Sequence, residues 1–201
     1  MQFADLDLNK VYSYADYFKW QFDERVELIK GKIFKISPAP NPVHQTISGY
    51  IHIELGYFLK RKQCRVYSAP FDVRLPQKTN NDEDIYTVLQ PDLSVICDKS
   101  KIDKKGCIGA PDMVVEILYT SNNTKDIIYK FEAYEQAGIK EYWVVSQDQT
   151  FVINTLVSGK YVPSRQMTIG DTVTSPILPG FSLDLKDLFE STIPEEARSR
   201  D

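Results

Sequence analysis

Apolar residues recur along the chain at two periods, and the switches between them predict the order of elements. Ser13 can cap a short helix reaching about Phe22, after which Arg25 to Ile36 alternates around Lys30-Gly31 as a hairpin would. Beyond Pro38, Pro40 and Pro42, the residues Val43, Ile47, Tyr50, Ile51, Leu55, Phe58 and Leu59 return at helical spacing. They define an amphipathic helix from about Asn41 to Lys62, with its apolar stripe on a sheet. Arg65 to Pro76 reads as a strand and Gln77 to Tyr86 as an exposed loop.

Asp92 to Cys97 and Met113 to Leu118 are two further strands, separated by a basic, glycine-containing connection. The second is almost continuously apolar, which predicts burial on both faces. A helix from about Asn123 to Gln136 stops at Gly138 and is followed by the strand Glu141 to Val145, giving a strand-helix-strand unit. Phe151 to Leu156 and Lys160 to Pro163 form a hairpin, and Phe181 to Leu185 precedes a short helix, Asp187 to Glu190. The class is mixed α/β or α+β, with a central sheet flanked by helices and additional hairpins.

A chain of 201 residues can bury one sizeable core, and only the end, from Ser191, lacks apolar pattern. One domain is expected over residues 1–191 and a frayed tail over 192–201. The start has neither the basic nor the apolar region of a signal peptide, and no apolar run approaches membrane-spanning length, so a cytoplasmic protein is expected. Cys64, Cys97 and Cys107 are odd in number and contain no CxxC pair, which predicts reduced thiols rather than a disulfide framework or a zinc site. A net charge of -4 and a pI near 5.3 argue against coating nucleic acid through an overall positive field. Lys60-Arg61-Lys62 and Lys99 to Lys105 can still supply local positive surface.

Glu116 carries the most information. Set between Val115 and Ile117 in an apolar strand, its carboxylate loses several kcal/mol of solvation unless a cation, a donor or a proton compensates it. Escape to solvent at the strand end, or a Lys or Arg partner, explains it equally well. Asp92 opens the other apolar strand after Pro91, and the 23 residues between it and Glu116 allow the strands to be neighbours. Two carboxylates on one face of such a pair can share a divalent ion, because neighbouring strands run about 4.8 Å apart. Asp112 also follows a proline, but it lies roughly 13 Å from Glu116 along the same strand, at about 3.3 Å per residue.

Lys130 stands on the following helix, at the border of the stripe Ile127, Phe131 and Tyr134. It can reach the mouth of the site or pair with Asp126 one turn earlier, and spacing alone favours the pair. Glu27 interrupts the first hairpin. His44 and His52 lack a third ligand at a zinc spacing, and His44 can equally face the cleft or be a capping or solvated residue.

Together these segments resemble the Uma-two family of restriction-endonuclease-like proteins, within the PD-(D/E)xK superfamily. The resemblance runs from about Tyr12 to Phe189. It rests on Val26 to Gly31, Ser37 to Pro40 with His44, Gln90 to Val95, Ala110 to Leu118, Asp126 through Lys130 to Tyr134, Gly138, and Glu141 to Val145. It implies a restriction-endonuclease-like fold in which Asp92 matches the metal-binding aspartate, Glu116 the acidic residue of (D/E)xK, and Glu27 an additional acidic position. Leu118 stands where the superfamily has its lysine, and the family supplies the amine from the helix, here Lys130.

Taken further, the expectation is Mg²⁺, with Mn²⁺ as a substitute, held by Asp92, Glu116 and the Ile117 carbonyl, with Glu27 assisting directly or through water and Lys130 orienting the attacking water or offsetting developing negative charge. The resemblance also implies phosphodiester hydrolysis with DNA as partner, and a homodimer where both strands are cut. Leu118 and the acidic pI favour a competing reading, a nuclease-fold binding module without turnover; hydrolysis of a small phosphate ester is a third.

Overall fold

A computed structural model describes residues 3–36, 41–119 and 124–192. Ser13 caps helix α1 (Tyr14–Tyr17) reciprocally: its hydroxyl accepts from the Asp16 amide, while the Asp16 carboxylate accepts from the Ser13 amide. Strands β1 (Val26–Ile29) and β2 (Lys32–Lys35) form the expected hairpin. Lys30 and Gly31 turn it with φ of 53° and 76°, the left-handed pair that suits a two-residue connection. Helix α2 (Pro42–Leu59) starts where Asn41 accepts the His44 amide at 2.8 Å, and proline occupies its first turn, where an amide is dispensable.

The segment read as one strand from Arg65 to Pro76 is two short ones, β3 (Arg65–Ser68) and β4 (Val73–Arg74), in different sheets. Pro70 lies between them and has no amide for a continuous ladder. Strands β5 (Val88–Leu89) and β6 (Leu93–Ile96) follow, and the basic connection is itself folded, as β7 (Ile102–Asp103) and β8 (Gly106–Ile108). Then come β9 (Met113–Leu118), helix α3 (Thr124–Ala137), β10 (Glu141–Ser146), β11 (Thr150–Val157) and β12 (Lys160–Pro163). The hairpin β13 (Thr172–Thr174) and β14 (Ser182–Asp184) leads into α4 (Leu185–Glu190). The expected α3 start at Asn123 and most of the expected tail fall outside the described residues.

The fold is α+β, as expected, with two six-stranded mixed sheets. One has the order β2-β1-β5-β4-β8-β7, the other β12-β11-β10-β9-β6-β3. In the second, β9 and β10 run parallel across α3, as the strand-helix-strand pattern requires, and β6 runs antiparallel to β9.

Alternation along β9 divides the core. Met113, Val115 and Ile117 face the α2 stripe of Ile47, Ile51, Leu55 and Leu59, together with Trp143 and the C-terminal segment. Val114 faces Ala133 and Tyr134 of α3 and Ile29 of the first sheet. Glu116 shares that second face by period.

The cysteine expectation is corrected: Cys64 and Cys97 are joined in a disulfide, and Cys107 is free and buried. The pairing Arg65↔Ile96 sets these two cysteines opposite each other just beyond β3 and β6, a proximity hidden by their sequence separation of 33. Among the described residues no helix is long and apolar enough to cross a membrane.

Candidate active site

The β6–β9 register pairs Leu93 with Val115 and Ser94 with Val114. Continued by one residue, it sets Asp92 directly across from Glu116. Asp92 is anchored at both oxygens: Oδ2 accepts the Ile117 amide at 2.7 Å, and Oδ1 lies 3.2 Å from His44 Nε2. His44 comes from the first turn of α2, is buried, and stacks on Tyr119 at 5.2 Å between centroids. Its Nδ1 has no hydrogen-bond partner among the described residues.

Glu116 points to α3, where Lys130 and Tyr134 project one turn apart from the same face. Its Oε1 accepts from Lys130 Nζ at 2.9 Å and from the Tyr134 hydroxyl at 2.6 Å. Lys130 Nζ is also 3.0 Å from Glu27 Oε1, so one ammonium bridges a carboxylate of the first sheet and one of the second. Gln90 completes the frame. Its amide donates to Glu27 Oε1 at 2.8 Å, and its side-chain oxygen accepts from Arg25 at 2.7 Å.

Burial pushes the Glu116 carboxyl up to about 7, against the pull of Lys130 and with further upward pushes from Asp92 and Glu27. On Lys130 burial acts to lower the pKa, but the neighbouring carboxylates of Glu116 and Glu27 outweigh it, and the ammonium is held above its ordinary range. The Tyr134 hydroxyl is raised by burial and by Glu116, so it stays a proton donor.

The fold therefore gathers Asp92, Glu116, Ile117, Lys130 and Glu27. It answers the alternative for Lys130 directly: the amine pairs with Glu27 and Glu116, while Asp126, partly buried, feels Lys130 only through its field. Asp112 is held elsewhere, accepting the Cys97 amide at 2.8 Å and Lys140 Nζ at 2.6 Å. His52 lies 2.6 Å from Ser68 Oγ, and both line a groove of about 420 Å³ that reaches Arg25, His44 and Asp92.

Of the cleft and solvent readings left open for His44, the structure gives the cleft, while Tyr134 and Gln90 stand in the matched segments with no role readable from the sequence.

Among the described residues no three His, Cys, Asp or Glu side chains converge tightly enough to hold an ion by themselves. The donor set nevertheless fits a hard divalent cation. Three carboxylates act on one another here while Lys130 supplies one positive charge, and the Asp92–Glu116 pair offers oxygen ligands only. Glu27 Oε1 is engaged by Lys130 and the Gln90 amide much as Glu116 Oε1 is by Lys130 and Tyr134.

A family model described as "Putative restriction endonuclease", Uma2, matches residues 14–186. The chain belongs to the Uma2 family. The match spans Glu27, Asp92, Glu116 and Lys130, every side chain just described as converging. Among solved structures, a protein described as "a putative nuclease belonging to DUF820" from Anabaena variabilis is similar at a TM-score of 0.70 and 20% identity. That similarity covers 90% of this chain and 99% of the other. At this identity the likeness speaks for the fold, which is the restriction-endonuclease-like α+β fold expected of a Uma2 chain. No curated protein matches the sequence.

Proposed function

We propose that this Uma2 protein is a divalent-metal-dependent endonuclease that hydrolyses phosphodiester bonds, with DNA as its substrate. The observation that carries the reading is the partly buried ammonium of Lys130 set between the buried Glu27 and Glu116, beside Asp92, at one end of the second sheet. Asp92, Glu116 and the Ile117 carbonyl are the groups that would hold Mg²⁺ or Mn²⁺, which would supply Lewis-acid stabilisation of charge on the phosphoryl group. The protein's own part is preorganisation. The Ile117 amide and His44 fix the Asp92 oxygens, so little freedom is left to lose when a ligand binds. Tyr134 and Lys130 fix Glu116 and keep a positive charge where an anionic phosphate must approach three carboxylates.

Calorimetric titration of Mn²⁺ into wild type and Glu116→Gln tests this reading. Binding in the wild type that is lost in the variant, with Mn²⁺-dependent nicking of supercoiled plasmid or circular single-stranded DNA by the wild type alone, is the expected result. Equal heats in the two proteins would remove Glu116 from the site. Nucleic-acid binding without nicking would favour the module reading, for which Leu118 in the superfamily's lysine position speaks.

A further inference from the structure

A second cavity, of about 270 Å³, shares Arg25 with the groove at Asp92 and is lined by the rings of Tyr17, Phe18, Trp20 and Phe22, by Val26, and by the polar Glu24, Arg25 and Gln90. Arg25 lines both cavities, so its exposed guanidinium stands where they meet. Trp20 and Phe22 lie nearly parallel, 28° apart at 5.6 Å, and Tyr17 tilts against Trp20 at 5.7 Å. Phe18 is 56% exposed. Tyr17, Trp20 and Phe22 are partly buried, Trp20 also meets Tyr12 edge-on at 5.2 Å, and Lys105 Nζ stands 4.8 Å from the Phe18 ring, so part of their apolar surface is left open in one concave place, next to Arg25 and Lys105.

The polar neighbours have fixed duties. Glu24 lies 3.8 Å from Lys35, and the Gln90 amide nitrogen donates to Tyr17 Oη and Asp72. Gln90 also ties the cavity to the candidate active site, because its backbone amide holds Glu27 and Asp92 follows two residues later.

A ligand matched to this pair of cavities has a flat π-face joined to an anion. A nucleotide within a duplex has its faces covered by neighbouring pairs, whereas an unpaired nucleotide offers its face to aromatic rings and its phosphate to arginine. We infer that, given the nuclease reading above, the aromatic cavity takes an unpaired nucleobase. Arg25 holds its phosphate, and the adjoining strand lies in the groove at Asp92. The substrate class is then single-stranded nucleic acid, or a strand with an unpaired nucleotide beside the bond that is cut.

Tryptophan emission reads this directly, because of the two tryptophans Trp143 is fully buried and Trp20 lines the cavity. The probes are a ten-nucleotide oligothymidylate, an abasic strand of equal length and a blunt duplex, each titrated in Ca²⁺. The oligothymidylate should quench Trp20 and bind roughly tenfold more tightly than the other two, in line with stacking energies of this kind. Phe18→Ala, at an exposed position, should weaken oligothymidylate binding several-fold and leave the abasic strand and Mn²⁺ binding unchanged. Equal affinity for all three probes without quenching, in a protein that still binds Mn²⁺ and nicks DNA, overturns the cavity assignment and leaves the nuclease reading standing. Failure to bind any probe together with absence of Mn²⁺ heat overturns both.

Discussion

Two buried glutamates show how differently the fold treats one functional group. Glu141, fully buried, is served by neutral donors, the Trp143 indole, the Ser175 hydroxyl and the Ile177 amide. Glu116 is served by a cation and a phenol and is pushed up to about 7. Between the ordinary carboxyl value of about 4.5 and this one, the folded protein keeps a proton that the unfolded chain has released. The folded state therefore binds more protons in that window, and stability falls as pH rises through it. Glu116's contribution is fully present below about pH 4.5 and is lost as pH rises through its raised folded value. Urea unfolding of wild type should show that decline, and Glu116→Gln should flatten it. Parallel pH profiles for the two proteins would mean that Glu116 titrates normally.

Long periodic elements are legible in the sequence itself: α2, β9, α3 and β10 each carry enough repeats for the period to speak. Strands β4, β5 and β7 are two residues long and contain no period to read, so the first sheet is legible only at its β1–β2 hairpin. For the same reason the Cys64–Cys97 partnership and the Glu27–Lys130 contact, which depend on register and on sheet packing, have no local signal. The hairpin turn does have one, and it supports a prediction. A β-carbon on Gly31 would sit at φ 76° and 2.4 Å from Val11 Cγ1, whereas one on Gly159, at φ 80° in the β11–β12 turn, meets nothing within 4 Å. Gly159→Ala should cost about 1 kcal/mol of backbone strain, and Gly31→Ala roughly 1–3 kcal/mol more, read from urea midpoints. Equal midpoints would show that β1 and its neighbouring segment shift freely to make room.

At the scale of the whole molecule, Lys130 is a charged link between the two sheets, since Glu27 belongs to one and Glu116 to the other. Removing one partner of a buried ion pair leaves the others uncompensated, and Lys130→Met should destabilise the fold by about 3–5 kcal/mol at neutral pH. Adding Glu116→Gln should recover part of that loss, because without the ammonium Glu116 has to take up a proton at neutral pH and glutamine does not. The same charge balance predicts how a metal acts. Mg²⁺ at a hundred times its dissociation constant stabilises the fold by about 2.7 kcal/mol if it binds only the folded protein. In Lys130→Met the ion meets carboxylates relieved of their ammonium, so at one fixed Mg²⁺ concentration the rise in melting temperature should be larger than in the wild type. An equal rise in both proteins would place the ion away from Glu116. A rise absent only from Lys130→Met would mean that the lysine organises the ligands rather than competing for their charge, and nicking activity would then be lost with it.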